Sequence, residues 1–388
     1  MRAAPSASPA TRNRRGNPTG SQGRGAVSAT PHRSGRLHRW NPLPIALVSA
    51  LLLGGCASAP TAGGRGDPVF YPPPPAPPRV QYLTSISSSS DVPGGRNWFA
   101  SFILGKEEDL PILKPYGLGF WKDRIYVCDT AIPALIVIDL KEKRFRYLAA
   151  AAAARISKPI NIAIDENGTK YVADTMRGML VFDADDRWLG ELPVGGGVKP
   201  SDIAISGNRL YVADLKDSRV VVLDKTTRKQ LFSIPRDDES SAQARLYSPV
   251  NLAVDGKGNL YVSDMGAFRV QEYDGEGRFL RSFGSPGDAP GQFARPKGIA
   301  VDDAGLVYVV DAAAQAVQIF DPEGRLLLYF GEPRESDMPL SLPASIRLDK
   351  ALVPYFAHFA EASFKVESLA FVSSQYGDHK IAVFGIGR

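Results

Sequence analysis

Six copies of one four-strand pattern, a near-constant spacing between them, and a last copy one strand short predict an all-β fold, a six-bladed β-propeller spanning residues 79–388. Each copy opens with a proline, reaches an apolar pair flanking a small residue, turns, and continues into Tyr-Val-x-Asp or a variant of it. The openings are Lys114-Pro-Tyr-Gly-Leu-Gly-Phe, Lys158-Pro-Ile-Asn-Ile-Ala-Ile, Lys199-Pro-Ser-Asp-Ile-Ala-Ile, Ser248-Pro-Val-Asn-Leu-Ala-Val, Arg295-Pro-Lys-Gly-Ile-Ala-Val and Leu342-Pro-Ala-Ser-Ile-Arg-Leu. Their prolines, at 115, 159, 200, 249, 296 and 343, lie 44, 41, 49, 47 and 47 residues apart.

The fourth copy shows the elements in order. A strand over Asn251–Asp255 meets the turn Gly256-Lys-Gly-Asn, and Leu260–Asp264 forms the second strand. Arg269–Tyr273 is the third, Asp274-Gly-Glu-Gly the next turn, and Arg278–Phe283 the fourth. No helical pattern alternates with these strands, which excludes a βαβ solenoid. The sixth copy has strands at Ser345–Asp349, Leu369–Ser373 and Lys380–Phe384, and the sequence stops at Arg388. A blade lacking its fourth strand leaves an open edge. Arg79–Ile86 has the right alternation, so it is expected to pair beside Lys380–Phe384 and close the ring.

The segment before the ring has another character. Residues 1–55 carry eight arginines and no acidic residue. Removing those eight from 46 basic residues leaves 38 against 41 acidic ones, so the net charge of +5 belongs to the leader. The ring is slightly acidic, which argues against a nucleic-acid partner. A basic flank at Arg33–Trp40, a dozen apolar residues from Pro44, and Cys56 read as a secretory signal too short to span a bilayer. Residues 1–32 are a long preface to such a signal, as if the start codon were placed too early. Ala57–Pro78 is Ala-, Gly- and Pro-rich, and its run Tyr71-Pro-Pro-Pro-Pro-Ala-Pro-Pro is expected to be an extended polyproline II spacer. The expected organisation is a leader at 1–55, a linker at 56–78, and the ring at 79–388.

Leu53-Gly54-Gly55-Cys56 resembles the bacterial lipobox. That resemblance implies acylation of Cys56 and a stable membrane anchor, and Ala57 in place of an aspartate implies the outer membrane. The proline openings, Tyr-Val-x-Asp and Arg-Val signatures resemble NHL repeats over about residues 80–388. Tyr71-Pro-Pro-Pro-Pro through Tyr82-Leu-Thr-Ser-Ile-Ser and Phe371-Val-Ser-Ser-Gln-Tyr-Gly-Asp-His-Lys resemble a group of bacterial NHL lipoproteins. Members of that group are often encoded near multihaem cytochromes, which implies an electron-transfer or maturation context in the envelope.

Candidate sites follow from repeat position. Asp129, Asp174, Asp214, Asp264 and Asp311 recur once per blade on the second strand, with Ser374 in the sixth. Spread around a ring, they cannot converge on one ion, so they are read as caps on adjacent turns. Lys114, Lys158, Lys199 and Arg295 precede the innermost strands and should circle one mouth of the central channel. Loops opening on the same face add Arg177, Arg219, Arg269 and His379. Such a field would attract an anionic ligand or partner. Asn161, Asp202 and Asn251 share one repeat position near that mouth and are the candidates for a calcium ion. Cys128 fills a small packing slot. Two apolar insertions interrupt the pattern: Trp98–Leu104, and Ala351–Ala360, read as helical and packed over the ring, with partner docking as the alternative.

These features weigh an enzyme against a binding module. NHL-type amidating lyases hold zinc on several histidines, but only His358 and His379 follow the leader. Lactonase-like propellers use a calcium in the channel, which keeps a metal-assisted hydrolase or lyase as the alternative. No Gly-x-Ser-x-Gly, Walker loop or Cys-x-x-Cys-His occurs. The leading expectation is a monomeric, non-catalytic, cofactor-free outer-membrane lipoprotein that binds an envelope protein or ligand.

Overall fold

The computed structural model describes residues 68–92, 109–148, 156–239, 241–333 and 339–388. The leader, Cys56 and Trp98–Leu104 lie outside the described residues. Five four-stranded antiparallel sheets and one five-stranded sheet form the six blades. Their innermost strands are Pro115–Trp121, Pro159–Ile164, Pro200–Ser206, Pro249–Val254, Pro296–Val301 and Pro343–Asp349. Each packs against the next, and the sixth returns to the first. The structure is a closed six-bladed propeller.

Side-chain alternation builds the core. On the second strand of the first blade, Ile125 and Val127 enter the apolar seam with the sixth blade, while Tyr126 and Cys128 enter the seam with the second. The same division gives six apolar clusters, one between each pair of neighbours. Strands buried on both faces therefore read as unbroken apolar runs, as in Leu135–Asp139, buried throughout. The outermost strands have one wet face and alternate, as Leu326–Phe330 does.

The predicted closure is present. Val80–Ile86 pairs antiparallel with Ile381–Gly387, with Val80 opposite Ile386 and Ile86 opposite Ile381. His379 Nδ1 lies 2.8 Å from Ser85 Oγ and 3.2 Å from Tyr82 Oη, pinning the closing strand beside the last loop.

The expected polyproline spacer is a correction. Phe70–Tyr71 adds a fifth strand outside Val80–Ile86, with Tyr71 opposite Val80. The prolines between them form the reversal, held where Arg79 N–H donates to the Tyr71 carbonyl at 2.8 Å. Tyr71 is buried against Phe330 and Phe384. Burial of one aromatic ring explains the difference, since it outweighs the intrinsic preference of a proline run for extended backbone. The folded part thus begins before residue 79. The insertion in the sixth blade includes the short helix Val353–Phe356, whose Phe356, with Leu352, packs into the seam with the first blade.

Candidate binding site at the channel mouth

The recurrent aspartates lie where the second strand ends. Asp174 Oδ2 accepts Ser157 and Lys158 N–H at 2.7 and 2.9 Å, and its Oδ1 accepts Met176 and Arg177 N–H at 2.9 and 3.1 Å. Asp129 and Asp311 bond both flanking loops in the same way. Asp214 accepts from Lys199 and Lys216, and Asp264 from Tyr247 and Ser248. In the sixth blade Ser374 Oγ accepts Ser341 N–H at 3.1 Å. In the first five blades the cap fixes the residue before the opening proline, and so places the basic side chains of the mouth.

Inside the mouth, two side chains cross the axis. Tyr116 of the first blade donates its hydroxyl to Asn251 Oδ1 of the fourth, directly opposite, at 3.4 Å. Arg347 of the sixth blade reaches Asp202 Oδ1 of the third and Asn161 Oδ1 of the second, both at 3.5 Å. Asp202 also accepts Ile203 and Leu252 N–H at 2.7 and 2.8 Å and the Asn251 amide at 3.1 Å. Burial raises the Asp202 carboxyl above its ordinary range against the opposing pull of Arg347. Burial and Asp202 together hold the Tyr116 phenol well above its usual value, so it stays a neutral donor.

The three calcium candidates therefore converge, but the waist they form already holds a cation. Calcium takes six to eight oxygens at about 2.3–2.6 Å. This layer offers one carboxylate, committed to backbone amides and a guanidinium, Asn251, whose amide nitrogen faces that carboxylate, and Asn161, whose Oδ1 already accepts Ile162 N–H and faces Arg347. The donor set does not fit calcium beside Arg347. Close packing shapes the same layer: a Cβ on Gly117 would lie 2.5 Å from Asn161 Cα, and one on Gly298 would lie 2.6 Å from Ser345 Cα.

The mouth itself sorts its basic residues into two sets. Arg219 lies 3.3 Å from Asp214, Arg269 lies 3.8 Å from Asp264, and Arg177 is paired with Glu191. These arginines serve their own blades. Lys158, Lys199 and Arg295 are exposed, and no ion pair among the described residues engages them. Lys114 stands 5.2 Å over the Tyr376 ring. His379 belongs to the closing strand instead.

Lys297, Tyr116 and Arg347 are additions to the sequence-predicted set. Lys297 follows the opening proline of the fifth blade and is only 6% exposed. Its ammonium lies 5.2 Å from the centre of the Tyr116 ring. Burial, then Arg295 and Lys114, push it down to about 8. The signal was a departure from repeat grammar. Sister blades carry Tyr116, Ile160, Ser201, Val250 and Ala344 in that slot. Arg347 likewise replaces Gly119, Ala163, Ala204, Ala253 and Ala300.

The same strands end in a cavity of about 360 Å³, lined by Arg347, Asp349 and aliphatic residues such as Ile164, Ile205, Val254 and Leu348. Cys128 is sealed in a blade seam, where burial pushes its thiol well up and leaves it unreactive.

Residues 293–320 match the model of the NHL repeat, which covers the first three strands of the fifth blade. No curated protein matches the chain significantly. Among solved structures, a protein of unknown function from Bacteroides thetaiotaomicron is similar at TM-score 0.55 and 15% identity, over 79% of this chain and 76% of that one. A gluconolactonase from Xanthomonas campestris follows at TM-score 0.49 and 16% identity, over 79% and 98%. A virginiamycin B lyase from Staphylococcus aureus gives TM-score 0.46 and 14% identity, over 70% and 84%. At these identities the likeness concerns the fold alone.

Proposed function

Starting from a six-bladed propeller that carries an NHL repeat, we propose a non-catalytic binding module of the bacterial envelope. Cys56 tethers it to the outer membrane, and one channel mouth receives an acidic partner protein. Envelope cytochromes and porins are the partner classes to examine first. The reading is carried by one observation: Lys158, Lys199 and Arg295 stand exposed around one mouth without ion pairs among the described residues, on a ring whose own charge is slightly acidic. Unpaired cations held by capped loops focus a positive field and steer an anionic surface to that face.

The test is Lys158→Glu combined with Lys199→Glu in the lipid-anchored protein. Capture of envelope proteins by wild type should weaken with salt, and the double reversal should reduce it at least about tenfold. Capture that is unchanged in the variant discards this reading.

A further inference from the structure

Buried ammonium groups need compensation, because removing a charge from water costs far more than burying a polar neutral group. Lys297 has none from the protein. Its ammonium makes no hydrogen bond or ion pair with any described residue, and it stands 5.2 Å from the centre of the Tyr116 ring. The charged and titratable groups that face it are Arg295, Lys114 and Tyr116, two cations and a neutral phenol. No carboxylate acts on it. Asp202, the carboxylate of the waist, is already engaged by Arg347, Asn251 and two backbone amides.

The side chain is nevertheless reachable. Lys297 keeps 6% of its surface exposed, at the same end of the innermost strands as exposed Arg295 and half-buried Lys114. The Tyr116 side chain reaches across the axis to Asn251. This end of the channel, the throat, thus brings three cationic side chains together with one aromatic ring.

We infer that this throat is an oxyanion site, in which Lys297, assisted by Arg295 and Lys114, binds a carboxylate or phosphate group entering along the channel axis. The inference rests on the cationic-mouth reading and deepens it. The oxyanion is either a free solute or an acidic side chain presented by the partner. An anion there supplies the counter-charge that the fold omits.

The experiment uses the full-length protein at low ionic strength, with inorganic phosphate and succinate as probes in calorimetry at pH 7. Wild type should bind both, with Kd on the order of 1 mM. Lys297→Met, which suits a slot filled elsewhere by Ile160 and Val250, should weaken binding at least about tenfold. Raising the pH to about 9 should weaken wild-type binding as Lys297 loses its proton. In wild type alone, phosphate should protect Lys297 from acetylation by acetic anhydride, read by mass spectrometry, which needs no folded variant. A hexaglutamate peptide separates the sources: competition with succinate assigns the oxyanion to a partner's side chain, and independent binding assigns it to a free solute. Both outcomes uphold the site.

Failure of both probes to bind wild type overturns the inference, as does equal binding by Lys297→Met or absence of protection. Measured at about 0.15 M salt, Lys158→Glu with Lys199→Glu should weaken probe binding less than Lys297→Met does, since the charges that face the Lys297 ammonium are Arg295 and Lys114. Capture unchanged in that double reversal, with probe binding intact, sinks the docking face and spares the throat; capture lost in it while wild type binds neither probe sinks the throat alone.

Discussion

Two lysines are buried among the described residues, and their surroundings could hardly differ more. Lys170, on the second strand of the second blade, is fully buried and fully served. Its ammonium lies 2.9 Å from Asp186 and donates to the carbonyls of Gly168, Asp183 and Ala184 at 3.2, 2.7 and 3.2 Å. It also stands 5.0 Å from the Tyr126 ring of the first blade. Asp186 in turn binds Tyr126 and Arg146 of the first blade at 2.9 and 2.5 Å. Burial alone would raise that carboxyl, but the Lys170 hydrogen bond and charge bring it below its ordinary range. Lys297, at the channel throat, has a ring and two like charges. A charge with a complete set of partners is part of the scaffold. A charge left incomplete by the fold marks a place where something else completes it.

The contrast can be broken at its strong end first. Lys170→Met leaves Asp186 buried beside Tyr126 and Arg146 without its second cation, and urea unfolding should show a loss of about 3–5 kcal/mol. A loss under about 1 kcal/mol would mean that the network is not structural. Next comes a steric change that leaves all charges in place. Gly298→Ala puts a Cβ against the backbone of Ser345 and should cost about 2 kcal/mol, measured in the same way.

Smallest, and opposite in sign, is the effect of Lys297→Met, which should raise stability by about 1 kcal/mol at pH 7 in anion-free buffer. The sign follows from proton linkage. The folded value near 8 lies below the unfolded one, so the cost of the buried charge is present in full below pH 8. It is relieved as the pH rises from about 8 towards 10. Wild-type stability should therefore climb relative to Lys297→Met across that window, and parallel curves would show that Lys297 is already compensated.

Most of the architecture was legible because a propeller repeats itself. The proline register fixed the innermost strands, and the shortfall in the sixth copy exposed the role of Arg79–Ile86. The turn-capping role of Asp129 and its counterparts followed from their radius alone. Phe70–Tyr71 was hidden for a physical reason: two residues before a proline run carry the local signature of a spacer, and only the distant Phe330 and Phe384 make burial of Tyr71 worthwhile. The throat was half legible. Its outer cations sit at a repeating position, whereas Lys297, Tyr116 and Arg347 act by departing from the repeat. What each departure does depends on the blade opposite, which sequence spacing does not reveal. The same dependence separates Arg177, Arg219 and Arg269 from Lys158 and Lys199, because ion pairing within a blade follows from side-chain reach rather than register.

The seam between Val80–Ile86 and Ile381–Gly387 joins segments about 300 residues apart. Loop closure of that length is an entropic barrier that local hairpins do not face. Five blades can zip from neighbouring hairpins, while the opening strand keeps an unpaired edge until the final one docks. Ring sealing is thus the most non-local strand pairing of the fold, and a chain in which Ile381–Gly387 has not docked displays an adhesive border that the finished molecule conceals.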